Sequence, residues 1–497
     1  LKDLPELKLK EYKQERLKTM EPLNISVLSD VKAVDTEKVE TMLADSLNSL
    51  GRKIVVLDDD PTGVQTVNNV SVYTDWKVDT LVQGFNEDKS IFFVLTNSRG
   101  FTMSQTTKAH HEIAENLIKA SKITGRDYII ISRSDSTLRG HYPIETAILK
   151  EDIEKVTNKR FDGEIMLPFF KEGGRYTINN IHYVKEGNML TPAGMTEFAK
   201  DKTFGYKSSF LPDYVEEKTA GKFKAEDVTC ISLDDIRNLE IEKITNQLMA
   251  VKNFNKIVVN AVDYIDIKIF AIAFCRAVAE GKEFMFRSAA AITKVLGGVP
   301  DKALLKHNEL VSDSKNGGIV LIGSHVKKTT MQLEELKNSK RPLKFIEFHA
   351  ARVLEKGGLD DEVKKVIAEA EEYINEGKSV CVYTSREVVK LDTDDKDKIL
   401  EASVAISNAV VKVIGDLKIK PKFIVAKGGI TSSDVGTKAL KVKKATVMGQ
   451  IKPGIPVWIT GEESKFPRMP YVIFPGNVGE VSTLREAVEV LMGVSDN

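Results

Sequence analysis

The sequence predicts an α/β fold: two α/β domains with largely parallel or mixed sheets. Three observations carry that prediction. Short, nearly continuous apolar runs recur from Lys53 onward, each closing in polar or glycine-rich residues. Helix-like stretches such as "TTKAHHEIAENLIKASKI" separate several of them. The series then restarts after a break at 301–317, where turn residues and charges accumulate and "NGG" interrupts the pattern. Apolar strands alternating with helices belong to sheets covered on both faces. Ligands of such sheets bind beyond the carboxyl ends of the strands.

In chain order, residues 1–48 are polar with helical spacing and are read as a helical N-terminal extension, a surface or dimer-contact helix pair. Residues 49–300 form the first domain. Its strands are expected in "KIVVLDDDPTG", "IFFVLTNSRG", "YIIISRSDS", "EIMLPFFKEGGR", "KIVVNAVD" and "FMFRSAA". Residues 301–317 are the linker, and 318–497 the second domain. Its strands fall in "GIVLIGSHV", "KFIEFHA", "SVCVYTSRE", "KFIVAKGGITSS", "ATVMGQIKPGIPVWITG" and "PYVIFPGNVG". A helix over "DDEVKKVIAEAEEYINEGK" is expected to stop at Gly377.

Composition narrows the function classes. The chain has 497 residues, with 72 basic and 72 acidic side chains that cancel. That balance excludes a global polyanion-binding surface, so no nucleic-acid partner is expected. No apolar stretch reaches the roughly 18 residues that a membrane span needs, and the charged N-terminus has no signal-peptide core. Cys230, Cys275 and Cys381 lack metal-ligand spacing and read as buried free thiols, which suits a reducing, cytoplasmic compartment. The seven histidines form no metal cluster in the sequence, and metal ligands stay unassigned.

The polar strand ends carry the chemistry. "LDDDPTG" sets Asp58, Asp59 and Asp60 side by side, and adjacent carboxylates need a cation or donors nearby. One reading is a general base with Mg²⁺ on the other carboxylates; the other is an acidic helix-cap turn. "TNSRG" places Asn97 and Arg99 after the next strand, where Arg99 suits a carboxylate or phosphate and the Asn and Ser equally suit a helix cap. In "SDSTLRG", Ser134, Ser136 and Thr137 suit sugar hydroxyls and Arg139 suits a carboxylate. "EGGRYT" adds Arg175 behind two glycines, and "TEFAKD" holds Asp201 in a segment that could form a lid or a substrate wall. In the second half, "GSHV", "KGGITSSD", "GQIKPGIP" and "PGNVG" are glycine-rich turns whose exposed N–H groups suit phosphate.

Two other patterns compete. "GKS" at 377–379 lacks the upstream glycine of a P-loop and ends a helix instead of starting one. Asp58, Asp60 and Thr62 make a D-x-D-x-T pattern like that of haloacid-dehalogenase-like phosphatases, with aspartate as nucleophile. That reading leaves "SDSTLRG" and the glycine-rich half without a role. A non-catalytic sugar-acid and nucleotide-binding protein is the third class.

Taken in order, "DDDPTG", "SDSTLRG", "GGRYT", "TEFAKD", "GSHV", "GGITSSD", "GQIKPGIP" and "PGNVG" resemble the four-carbon acid sugar kinase family, from Lys53 to the C-terminus. The resemblance implies a sugar-acid-binding N-terminal domain, a nucleotide-binding C-terminal domain and an active site in the interdomain cleft. It implies ATP-dependent phosphorylation, with Mg²⁺, of the terminal hydroxyl of a small acid such as a threonate, an erythronate or a 3-oxo-tetronate. By that likeness Asp58, Asp59, Thr62 and Gly63 fall in the first active-site loop, with Asp58 or Asp59 as base. Ser134, Asp135, Ser136 and Arg139 fall in the sugar-acid loop, assisted by Asn97, Arg99 and Arg175. Ser324, Gly428, Gly429, Thr431, Gly449, Gly476, Asn477 and Gly479 fall at ATP-facing positions. A homodimer is compatible with this reading. The chain departs from many members at Ile430, at Phe474 and Val478 (where a Lys and a Phe are common), and at "HYPIE" after "STLRG". His141 and Tyr142 are therefore expected to bear on which acid is preferred.

Overall fold

The computed structural model describes residues 21–310, 314–387, 389, 395–476 and 478–494, with only the backbone of Lys396, Asp397 and Leu400. Residues 1–20 of the expected extension, 311–313 of the expected linker and Asn477 lie outside them. The chain divides into two compact units. The first is Leu1–Asp59 with Asp75–Pro300, and the second is Asp60–Thr74 with Asp301–Asn497. The excursion of Asp60–Thr74 into the second unit has no counterpart in the sequence pattern.

The first unit is built on seven parallel strands in the order Thr229–Ile231, Asn255–Val259, Gly163–Leu167, Phe284–Ser288, Tyr128–Arg133, Lys53–Asp58 and Ile91–Leu95. Its central strands are buried along their whole length, which is why their sequences are apolar without alternation. The helices Val78–Asn86, Met103–Thr124 and Ile144–Val156 pack in one group, and Thr36–Leu50, Ile241–Ala250 and Tyr264–Ala279 in another. Thr36–Leu50 buries Val39 and Leu43 and rests on Tyr264–Ala279, so this part of the N-terminal stretch belongs to the unit's core. A separate antiparallel sheet, ordered Leu23–Asn24, Met189–Pro192, Ile181–Glu186 and Arg175–Ile178, carries Arg175.

The second unit has a mixed sheet. Val70–Tyr73, Lys444–Lys452, Ile455–Thr460 and Pro470–Phe474 pair antiparallel in succession. Ile424–Lys427, Ile319–Ile322, Val380–Thr384 and Lys344–Phe348 continue it in parallel. The excursion is stitched in by more than its strand: Gln65 Nε2 donates to Gly454 O at 2.9 Å and Asn69 N to Val447 O at 2.7 Å. The helix Gly358–Asn375 is followed by Gly377 at φ 79°, the left-handed stop its sequence called for. Among the described residues no helix is long and apolar enough to cross a membrane.

Candidate functional site

In the first unit, four neighbouring parallel strands deliver their polar ends to one place. Asp58 and Arg133 are register partners on adjacent strands, as are Arg133 and Ser288. That register makes the Arg133 Nη1–Asp58 Oδ1 pair, 3.0 Å long and almost wholly buried. Asp59, one residue further, meets Arg99 through two bonds: Nη2 to Oδ1 at 2.5 Å and Nε to Oδ2 at 3.1 Å. Ser134 Oγ donates to the same Asp59 carboxylate at 2.5 Å. The repulsion within "DDD" is thus relieved by two arginines and a hydroxyl.

The loop Ser134–Pro143 is folded by its own polar groups. Asp135 accepts from Thr137 Oγ1 and, at 2.7 Å, from Arg139 Nε. Burial pushes the Asp135 carboxyl up, but Arg139, Arg99 and its hydrogen bonds hold it well below the usual range. Leu138 has φ 68° and Gly140 φ 126°. A Cβ on Gly140 would stand 2.6 Å from Ser134 Oγ and 2.7 Å from Arg287 Nη2, so only glycine fits this approach. The Tyr142–Pro143 bond is cis. His182 Nε2 donates to Ser136 O at 2.8 Å, which leaves Nδ1 to accept from Thr177 Oγ1 at 3.0 Å. Burial lowers its pKa to about 4, in keeping with this neutral tautomer.

Arg139 and Arg175 both lie against the Phe198 ring, 5.0 and 5.5 Å from its centre. Arg139 also faces Asp201 at 3.6 Å. Arg175 donates from Nη1 to Gly173 O, while its buried Nε has no hydrogen-bond partner. Burial depresses its pKa. An anion arriving here meets two guanidinium groups backed by an aromatic face.

Three buried residues of this network escaped the sequence reading. Arg133 and Arg287 close strands that read as apolar, and Glu145 lies in "HYPIE". Glu145 binds Arg287 Nη1 at 2.9 Å and Ser98 Oγ at 2.7 Å. Burial would raise its pKa, but Arg287 and His110 hold it down. Asn97 takes a left-handed turn ahead of Ser98–Gly100, without a side-chain cap bond. Tyr142 is buried, stacked on Tyr214, with its hydroxyl 3.3 Å from Glu164. Glu164 in turn holds Lys256 at 2.6 Å. His141 Nε2 bonds Phe101 O at 3.0 Å and its ring meets Phe204 edge to face. Tyr142 therefore serves the core.

Thr62 and Gly63 belong to the second unit. Asp60 accepts from Thr62 N at 2.9 Å and from Thr62 Oγ1 at 2.5 Å, capping the turn Pro61–Val64. Asp58 is engaged by Arg133 and Asp60 by its own turn. Asp60 also stands 3.6 Å from where a Cβ on Gly429 would be.

Around it, glycine turns converge. A Cβ on Gly323 would meet Thr431 Oγ1 at 2.4 Å, and one on Gly428 would meet Ser324 Cβ and Thr431 Oγ1 at 3.4 Å. Gly428 has φ 118° and its N–H donates to Phe474 O at 2.9 Å. These turns open on a cavity of about 500 Å³ with Gly323 and Thr431 among its walls. Ile399, Ala402, Ile406 and Val410 of the helix Lys396–Asp416 form an apolar wall. A pocket with an apolar wall and a few convergent polar groups is the usual form of a small-molecule site. That helix carried no motif, so nothing in its sequence marked it. Gly449 lies elsewhere, in an irregularity of Lys444–Lys452 beside Lys302, Asn68 and Leu305. Gly479, at φ 81°, abuts Thr483 at the start of the last helix. Gly476 O accepts from Lys427 Nζ at 2.9 Å. Among the described residues no group of three or more His, Cys, Asp or Glu is placed to hold a metal ion.

Two family models match the chain in succession. Residues 54–296 match the model of a sugar-binding N-terminal domain, and residues 319–484 that of a nucleotide-binding C-terminal domain. No curated protein sequence matches the chain significantly. Among solved structures, protein HI1011 of Haemophilus influenzae, assigned to the family DUF1537, superposes with a TM-score of 0.58 at 18% identity, over 88% of this chain and 100% of its own. A putative tRNA synthase from Salmonella typhimurium LT2 does so with a TM-score of 0.60 at 15% identity, over 88% and 98%. At these identities the likeness speaks for the fold. With both domain models matched in order, this chain belongs to the family that joins a sugar-binding N-terminal domain to a nucleotide-binding C-terminal domain, the four-carbon acid sugar kinase architecture.

Proposed function

We propose that this protein is an ATP-dependent kinase that phosphorylates the terminal hydroxyl of a small sugar acid of the four-carbon type. The observation that supports it best is the pairing, in one chain, of two chemically distinct strand-end sites. One gathers Arg99, Arg139 and Arg175 with serine hydroxyls in a sugar-binding domain. The other opens glycine turns onto a cavity in a nucleotide-binding domain.

Arg139 and Arg175 would take the substrate carboxylate, and Ser134 and Ser136 its hydroxyls. Asp59 is our choice of base over Asp58. The Asp58–Arg133 pair is sealed, whereas the Arg99 that holds Asp59 is 21% exposed and can turn toward an incoming anion. That swing would free a carboxylate to accept the acceptor hydroxyl's proton. Gly323, Ser324, Gly428 and Thr431 fit the triphosphate by backbone N–H and hydroxyl groups. Phosphoryl transfer asks mainly for positioning and charge neutralisation, and Mg²⁺ supplies part of the latter when bound with ATP.

The test is ADP release across four-carbon and branched sugar acids with ATP and Mg²⁺. Turnover is expected with at least one acid. Asp59→Asn should lower kcat by about 10²–10⁴. Arg139→Ala should raise the acid's KM by roughly 10–150-fold, the worth of a charged hydrogen bond. Phosphate-ester hydrolysis without ATP, or no ADP with any acid, would overturn the proposal.

A further inference from the structure

Lys427 ends the buried strand Ile424–Lys427, and its side chain is completely buried. Its register partner is Phe474, whose ring centre lies 4.3 Å from Nζ. The ammonium donates to Pro475 O at 2.7 Å and to Gly476 O at 2.9 Å. One residue on, Gly428 N donates to Phe474 O at 2.9 Å. Two turns are thereby fastened together: the one after Lys427, with Thr431 in the cavity wall, and the one after Phe474.

We infer that Lys427 is a positioning residue of the nucleotide site, a buried cation that pins the Pro475–Gly476 turn to the Gly428–Thr431 turn and lends its charge to the nucleotide phosphates. The inference rests on the nucleotide reading of this domain. The chain thus brings a cation to the turn after Phe474 from the neighbouring strand. Carbonyl partners hold the amino group without a counter-charge, so its protonated form can answer to an anion nearby.

Burial, reinforced by the Lys328 ammonium, lowers the pKa of Lys427 to about 7. A bound polyphosphate favours the charged form, so binding at pH 8 should draw a proton onto it. His325, in the cavity wall, has its own pKa lowered by burial and Arg386, in the direction away from protonation at pH 8.

The experiment is calorimetric titration of the full chain with MgADP at pH 8, in buffers of different ionisation enthalpy. It is run on wild type, Lys427→Met and Lys427→Arg. Wild type should take up a substantial fraction of a proton. Lys427→Met should abolish the uptake and raise the ATP KM more than tenfold, with the acid's KM within twofold of wild type. Lys427→Arg should bind more tightly than the Met variant, without uptake. MgADP binding to wild type without proton uptake would overturn the inference even if the Met variant fails to fold, and leave the kinase reading standing. An unchanged ATP KM in a folded Met variant would do the same. No binding by wild type would remove the nucleotide reading itself.

Discussion

The strand ends of the first unit and those of the second handle charge in opposite ways. In the first, Arg99, Arg133, Arg139 and Arg287 are each held by a carboxylate: Asp59, Asp58, Asp135 and Glu145. In the second, the turns around the cavity carry glycine and hydroxyl residues with His325, and Lys427 and Arg386 rest on carbonyls. Buried charges must be paired, so the first arrangement is pre-paid with internal partners. On the proposed reading, a ligand carboxylate would reach Arg139 by exchange with Asp135 and Arg175 without one. The second arrangement offers dipoles of fixed orientation, which need no exchange.

A matched pair of substitutions puts the largest strain on this contrast. Gly140 and Gly428 share φ values of 126° and 118°, so alanine costs similar backbone strain at both. At Gly140 the new methyl also drives into Ser134 and Arg287, while at Gly428 it meets only ordinary contacts. Gly140→Ala should cost about 3–5 kcal/mol and Gly428→Ala about 1–2 kcal/mol, read as thermal midpoints. Equal losses would mean that the charged loop is looser than its contacts imply.

A pH effect at His182, in the first unit, comes next. His182 is neutral in the fold, with its pKa pulled from 6.5 to about 4 by burial. The unfolded chain binds the proton more readily, so stability is intact above pH 6.5 and is lost as pH falls toward 4. The loss approaches about 3 kcal/mol. His182→Gln should flatten the stability profile between pH 4 and 6.5, measured by denaturant unfolding; an unchanged slope would assign that window to another group. The smallest effect is at Tyr142. Tyr142→Phe removes one 3.3 Å hydrogen bond to Glu164 and should cost about 1 kcal/mol, without altering the ranking of acids in the ADP-release assay. A changed ranking would restore the role its sequence neighbourhood suggested.

Much of this was legible in the sequence. The apolar strands announced a buried parallel sheet, and the motif loops fell at its polar ends because side chains there have nowhere apolar to go. Arg99 and Arg139 stood out because they lie in loops. Arg133 and Arg287 did not, since each ends an apolar run and its partner comes from another strand or helix. Lys427 was hidden in the same way, as the last residue of "IVAK". Pairing across 75 or 142 residues leaves no local trace. The cavity's apolar wall was invisible for the complementary reason: Ile399, Ala402 and Ile406 have ordinary helical spacing, and a helix lining a pocket reads like one lining a core.

The excursion Asp60–Thr74 sets a schedule for synthesis. Val70–Tyr73 pairs with Lys444–Val447, which leaves the ribosome about 370 residues later. At roughly 5–20 residues per second, the early strand waits some 20–75 s for its partner. During that time Val70, Val72 and Tyr73 form an unpaired apolar edge, the kind that seeks other chains. The first unit can complete its parallel sheet while the wait lasts, but the second cannot close until Lys444–Val447 has emerged. Slow translation would lengthen the time this edge stays open.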